Sequence, residues 1–411
     1  MGIEGRLRNG TVYAGHDARQ RFYDARGYGR PLSAAEREAW GANGVALSRV
    51  EAAHLLARGD LDAVWADPGG SSGGSEEGEC LGFRGFIARA GSRPPPEERG
   101  GFLVRFLVYA DLRERGFYLS PAREGWPNAD RAGEEVDFLV YPRGKGPGEG
   151  AIEHRARAVG ERAPLPVADL SAPVVAVVDE ESDVTYFDTE RPDVSGTTGF
   201  DPPANLRGDL LADRAVLWDP PAELYRRDFL GRPLAGRDAG QALQLSLVEA
   251  AYLAACGGID LGLDGDATDP PSLAGVDREG SDGDYRAVLA RGRAVEGERF
   301  DRRLRAYAAL RDRGVVPKTG FKFGADFRTY GEVESVDDLG HSELLVRVLP
   351  AGTAVSPRDL SLDVRLAHGV RKRMVFALVG DGDHSGDGPG DGDSGGGDPE
   401  IAWRSATRLT P

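Results

Sequence analysis

LSRVEAAHLLARG, residues 47–59, returns as LSLVEAAYLAACG, residues 245–257. YADLRERG (109–116) returns as YAALRDRG (307–314) at the same offset of 198. Further pairs keep the same order. YGRPL (28–32) matches LGRPL (230–234), and DFLVY (137–141) matches DFRTY (326–330). GEGAIEH and DLGH end on His154 and His341, an offset of 187. Ordered self-similarity at one period marks a duplicated and fused unit. In both copies of the opening stretch a Ser precedes a Glu by three residues: Ser48 and Glu51, then Ser246 and Glu249. Each pair predicts a capping box, with Gly59 and Gly257 as helix stops.

The expected fold follows from these units. The chain reads as α/β (α+β), built of two tandem repeats. Each repeat has an N-terminal α/β subdomain and a C-terminal subdomain with a mixed β-sheet and flanking helices. Residues 1–190 form the first repeat, divided at 95/96. A linker covers 191–210, with TERPDVSGTTGFDPP (189–203) leading into it. Residues 211–411 form the second repeat, divided at 295/296. Helices ending at Gly116 and Gly314 open the C-terminal subdomains. PVVAVVD (173–179), SELLVRVL (342–349) and RMVFALV (373–379) read as strands. Two low-complexity runs, 67–79 and 380–400, lack the ligand pattern of an EF-hand and read as solvated insertions.

Composition narrows the setting. No apolar run approaches the ~18–20 residues that span a bilayer, and the N-terminus has no secretory h-region. Cys80 and Cys256 provide neither metal-ligand spacing nor a disulfide framework. The expectation is a cytoplasmic protein without membrane partner, metal or cofactor. Net charge is −16, and only four of 51 basic residues are lysine: Lys145, Lys318, Lys322 and Lys372. That balance suggests a protein adapted to brine. At about 1 M salt the Debye length is only about 3 Å, so global acidity does not exclude a polyanionic partner. An ordinary acidic cytosolic protein fits the composition as well.

One basic segment stands against the acidic background. RLAHGVRKRMVFALV (365–379) holds Arg365, His368, Arg371, Lys372 and Arg373. DLS at 169–171 matches DLS at 359–361, but VVAVVDEE (174–181) then follows too soon to match RMVFALVGD (373–381). About ten residues, including this segment, are missing from the first copy. The second copy therefore combines Tyr330, His341 and Lys372. Such a set can cleave RNA without a metal: a base deprotonates the ribose 2′-hydroxyl, an acid protonates the leaving 5′-oxygen, and a cation stabilises the charge between them. Histidine titrates near neutrality, and lysine supplies a point charge. The first copy has Tyr141 and His154 but no matching lysine, so it should be inactive.

With KTGFKFGADFRTY (318–330), GHSELLV (340–346), VRKR (370–373) and VEAAYL (248–253) in place, the chain resembles the archaeal tRNA-splicing endonucleases. Nearly the whole length resembles their fused two-repeat, homodimeric form, of the haloarchaeal kind. The resemblance implies a tRNA-intron lyase that cuts precursor tRNA at bulge–helix–bulge junctions and leaves 2′,3′-cyclic phosphate and 5′-hydroxyl ends without metal. It assigns Tyr330 as general base, His341 as general acid and Lys372 as transition-state stabiliser. It also implies two arginines that pinch a bulge base, Arg365 and Arg408, with Arg404 as the alternative to Arg408. Finally it implies a homodimer docked through an acidic loop, here Asp179, Glu180, Glu181 and Asp183. A noncatalytic structural or RNA-binding subunit of a splicing complex is the alternative function. Spacing alone would let Tyr330 and His341 exchange proton roles.

Blander roles are weighed beside these. His54 and Tyr252 align on an amphipathic helix and read as core or partly buried. His16 and His384 read as loop residues. His368 reads as a helix-surface group, and Lys322 as structural or phosphate-positioning. Arg371 and Arg373 are expected to straddle a strand carrying Lys372.

Overall fold

The structure is a computed structural model. It describes residues 2–66, 78–92, 101–133, 135–171, 173–263, 273–274, 276, 282–380 and 401–411. The low-complexity runs, apart from Gly78, Glu79 and Gly380, lie outside the described residues, as does His384. No helix among the described residues is long and apolar enough to cross a membrane.

Each repeat begins with a small sheet of one topology. In the first, the strands run Arg30–Pro31, Val45–Ser48, Thr11–Ala14, Glu4–Arg8, Ala63–Ala66 and Glu79–Leu81 across the sheet. In the second they run Arg232–Pro233, Ala242–Ser246, Arg214–Trp218, Leu206–Leu210 and Ile259–Asp260. The strand Leu206–Leu210 lies inside the span expected to be linker, so the second repeat begins its first strand at 206. Helix α1 (Arg49–Arg58) follows the first sheet's strand Val45–Ser48. Helix α2 is Phe102–Glu114. Their counterparts in the second repeat are α3 (Leu247–Ala255) and α5 (Arg299–Asp312), with α4 (Asp282–Glu296) between them. Both capping boxes form as read from sequence: Ser48 and Ser246 accept from the Glu51 and Glu249 amides, and each carboxylate accepts the Ser amide. Gly59 and Gly257 take φ of 71°, a left-handed conformation that costs glycine little.

The C-terminal subdomains do not form separate sheets. Their strands are β1 (Tyr118–Pro121), β2 (Phe138–Tyr141), β3 (His154–Gly160), β4 (Val174–Val178) and β5 (Val184–Glu190) in the first repeat. In the second they are β6 (Val316–Thr319), β7 (Phe327–Tyr330), β8 (Leu344–Pro350), β9 (Arg373–Val379) and β10 (Ala402–Leu409). All ten join in one sheet, ordered β6-β7-β8-β9-β10-β5-β4-β3-β2-β1. The halves are joined by the antiparallel pair β5/β10, with Phe187 opposite Arg408. Each half has one parallel pair, β8/β9 and β3/β4. A parallel pair requires a crossover. In the second repeat it contains helix α6 (Pro357–Gly369); in the first, the described residues hold a 3₁₀ turn, Val167–Asp169, and no α-helix. The basic segment missing from the first copy is thus the end of a crossover helix.

The core crosses the seam between repeats. Phe187 and Val175 of the first pack with Phe376, Met374, Leu360 and Val364 of the second. Burying such side chains contributes about 1.5–3 kcal/mol each, so the two halves stabilise each other.

Candidate active site

Strand polarity brings the three catalytic candidates to one edge. β7 runs antiparallel to β8, and β8 runs parallel to β9. The C-terminal end of β7 therefore meets the N-terminal ends of β8 and β9. Tyr330 is the last residue of β7; His341 lies three residues before β8, and Lys372 one residue before β9. Backbone bonds hold this edge: Glu343 donates its amide to Thr329 (3.1 Å), and its carbonyl accepts from the Arg373 amide (3.0 Å). The Lys372 ammonium donates to the Ser342 carbonyl, next to His341.

Lys372 differs in one respect from its expected setting. It does not sit within a strand between Arg371 and Arg373. Arg371 takes φ of 56°, and Lys372 occupies the turn joining α6 to β9. A turn side chain is free of the strict alternation of a strand, so it can aim along the sheet edge. Partial burial, and then the charge of Arg328, hold the Lys372 ammonium below the ordinary lysine range. His341 is exposed. The Tyr330 ring is 6% exposed and packs edge-on against Phe229, with centroids 5.5 Å apart. Its hydroxyl has no hydrogen-bond partner among the described residues.

The first repeat differs from the second by more than the missing lysine. Tyr141 matches Tyr330, but its hydroxyl donates to Ser120 Oγ (2.9 Å) and accepts from Asn128 Nδ2 (3.1 Å). His154 does not match His341. Phe138 of β2 pairs with Ala156 of β3, as Phe327 of β7 pairs with Val346 of β8. That register aligns His154 with Leu344 and places Ala151 at the position of His341. The sequence match slipped by three residues because the preceding loops differ in length.

The remaining expected residues fall on three elements. Arg365 is exposed on α6. Arg408 is exposed on β10; extending the register from Met374 opposite Ala406 places it alongside Lys372. Arg404, also on β10, is half-buried and donates to the Ala168 carbonyl (2.8 Å). Asp179, Glu180, Glu181 and Asp183 form the exposed tip of the β4/β5 hairpin. Asp179 accepts from the Glu181 and Asp183 amides, both at 2.9 Å, so the tip is held in one shape. Glu180 pairs with Arg162 at 2.5 Å. His54 and Tyr252 are buried, as read from sequence. His368 and Lys322 are exposed.

Three features escaped the sequence reading. Lys318 spans from β6 to Glu249, the capping residue of α3, at 2.6 Å, and also donates to the carbonyls of Phe229 and Gly231. Burial pushes the Glu249 carboxyl up, but Lys318 and Ser246 outweigh it and leave it below its usual range. The rarity of lysine was the available signal, because three of the four lysines, Lys318, Lys322 and Lys372, fall in the C-terminal subdomain of the second repeat. Second, Arg328 lies over the Tyr330 ring, 5.6 Å from its centroid, with no hydrogen-bond partner for its buried Nε. Third, linker residues 196–198 clamp the segment after Tyr330. Thr197 donates to the Gly331 carbonyl (2.8 Å), and Gly196 and Thr198 bond to Arg313 and Gly314.

Comparison with known proteins agrees with this architecture. Residues 300–387 match the family model of the tRNA intron endonuclease catalytic C-terminal domain. Residues 3–70 and 206–274 each match the corresponding N-terminal domain. The chain is 49% identical over 411 residues to a tRNA-splicing endonuclease of Haloferax volcanii, covering all of both chains. It is 50% identical over 405 residues to that of Haloarcula marismortui, covering 98% of this chain and 99% of the other. A Methanosarcina mazei tRNA-splicing endonuclease is 36% identical over 391 residues, covering 92% and 95%.

Proposed function

This chain belongs to the tRNA intron endonuclease family, in its fused two-repeat form, and we propose that its second repeat cuts precursor tRNA at bulge–helix–bulge junctions by metal-independent attack of a 2′-hydroxyl. Endonucleolytic cleavage in tRNA splicing is its activity. The convergence of Tyr330, His341 and Lys372 on one sheet edge, in the second repeat alone, carries the finer reading.

Tyr330 takes the proton from the ribose 2′-hydroxyl. The 2′-oxygen forms a bond to the adjacent phosphorus, and the bond from phosphorus to the 5′-oxygen breaks. His341 gives that oxygen its proton. Lys372 stabilises the extra negative charge on the phosphate oxygens as it develops. The products are a 2′,3′-cyclic phosphate and a 5′-hydroxyl. Arg365 and Arg408 are assigned to a bulge base, where a guanidinium plane stacks on a base face.

The homodimer contact belongs to the acidic hairpin of the first repeat. A cleft of about 680 Å³ separates the second repeat's N-terminal subdomain from its catalytic sheet, and Arg214, Arg232, Arg303, Lys318 and Arg328 line it. Arg214, Arg303 and Lys318 already have carboxylate partners. Among the described residues Arg232 and Arg328 have none, so a partner's hairpin would supply the missing charge. The exposed, preformed tip at Asp179–Asp183 has the complementary sign.

The test uses end-labelled bulge–helix–bulge RNA in high KCl with excess EDTA, followed by analysis of the product ends. Cleavage within the bulges leaving cyclic phosphate is expected. Lys372→Ala should lose about 10²–10³-fold in rate, and His341→Ala about 10²–10⁴-fold. Full cleavage by Lys372→Ala would overturn the mechanism. Tight binding without cleavage by folded wild-type protein would indicate a scaffold instead.

A further inference from the structure

Phe321 is 86% exposed, the most exposed large apolar side chain among the described residues. It sits in a 3₁₀ turn, Phe321–Phe323, between Gly320 and Gly324. The turn is fixed. Phe321 donates its amide to Thr319 Oγ1 (3.3 Å), Phe323 donates to the Gly320 carbonyl (2.8 Å), and Gly324 takes φ of 65°. It packs on the end of α6: a Cβ at Gly324 would stand 3.3 Å from Leu366 Cδ2. Its other aromatic, Phe323, lies under the Lys372 ammonium, 5.8 Å from ring centre to nitrogen.

The turn and the end of α6 that it packs on both carry basic side chains. Lys322, Arg365, His368 and Arg371 are exposed. Neither 318–325 nor 364–379 contains an Asp or Glu, although the chain carries a net charge of −16. A rigid aromatic ring set among cations, beside a phosphate-binding lysine, matches how proteins hold unpaired nucleotides. Every base offers a π-face, and the backbone beside it offers charge. A second copy of so acidic a chain would be drawn to the cations but would leave the planar ring without a matching partner.

We propose that Phe321 is a stacking platform for an unpaired base of the RNA, close to the phosphate held at Lys372. This rests on the function proposed above. It adds a substrate-contacting residue outside the Tyr330, His341 and Lys372 set and outside the arginines.

The experiment uses bulge–helix–bulge RNA with 2′-deoxyribose at the cut positions, so that it binds uncut, and 2-aminopurine in the bulges. Wild type, Phe321→Ala and Phe321→Trp are compared by fluorescence titration, and the RNA-free proteins by sedimentation. Phe321→Ala should bind about 5- to 150-fold more weakly, the range for one lost base–aromatic stack, and should lose 2-aminopurine quenching. Phe321→Trp should keep both. Wild-type affinity and quenching in Phe321→Ala would overturn the proposal. So would a changed oligomeric state without RNA, which would mark a protein contact. Parallel cleavage of unmodified RNA separates the two readings. If wild type cleaves while Phe321→Ala binds normally, only the platform fails. If wild type does not cleave but Phe321→Ala binds more weakly, the platform stands and the nuclease reading fails.

Discussion

Lys318 and Glu249 meet at 2.6 Å across the boundary between the catalytic sheet and the N-terminal subdomain of the second repeat. The same carboxylate caps α3 by accepting the Ser246 amide and also accepts the Gly231 amide (3.1 Å). One ion pair thus fixes a helix start, a loop and a strand of the active-site sheet. In the first repeat the matching carboxylate, Glu51, accepts from the Trp126 indole instead (3.1 Å). Burial pushes Glu51 above the usual carboxylate range.

Removing one member of a buried pair leaves the other charge without compensation. Lys318→Ala should therefore destabilise the fold by about 3–5 kcal/mol. Lys318→Met combined with Glu249→Leu should recover much of that loss. Urea unfolding of the two variants checks this, and equal loss in both would refute the pairing argument.

Gly196 has no room for a side chain. A Cβ there would stand 2.4 Å from the Gly314 carbonyl and 2.5 Å from that of Gly331. Gly196→Ala should cost about 1–3 kcal/mol, as overpacking does. Because Gly331 follows Tyr330, the cleavage rate should fall as well. Calorimetry and single-turnover cleavage would measure the two effects. Unchanged values for both would mean that the linker does not clamp this segment.

His54 gives the fold a dependence on pH. Burial, then the charges of Arg113 and Arg58, lower its pKa from 6.5 to about 4. The folded state thus binds this proton less readily than the unfolded chain. The stability it contributes is present above about pH 6.5 and is lost as pH falls toward 4. The full loss is about 3 kcal/mol at one pKa unit per 1.36 kcal/mol. His54→Gln should flatten the stability profile between pH 6.5 and 4, read by urea midpoints at constant salt. A slope identical to wild type would exclude His54 as its source.

The acidic hairpin should govern assembly. Glu180→Lys with Glu181→Lys should weaken the proposed dimer at least about tenfold, and Arg328→Glu should do the same. Combining the reversals should restore part of the association. Sedimentation velocity in high KCl reads the outcome, and a dimer indifferent to all of them would rule out this contact.

Local signals were legible in the sequence wherever the structure depends on near neighbours. The capping boxes at Ser48 and Ser246 depend on residues three apart. The 3.6-residue pattern that buried His54 and Tyr252 is equally local. Tyr330 and Lys372 were singled out through the motifs around them, and strand polarity brings both to one sheet edge. Arg328 and Gly196 were not, because a buried Nε with no hydrogen-bond partner among the described residues and a forbidden Cβ acquire meaning only beside their neighbours in space.

The sequence by itself determined that the chain is a duplicated unit and which copy keeps the chemical groups. Tertiary structure decided the rest. It joined the two C-terminal subdomains into one sheet through β5 and β10, which no local pattern specifies. It aligned His154 with Leu344 rather than His341, because strand register follows from hydrogen bonding to a distant partner and not from residue similarity. It also placed Lys372 in a turn facing Ser342 and tied Lys318 to Glu249, 69 residues away in the chain. Those placements depend on where non-local strands meet.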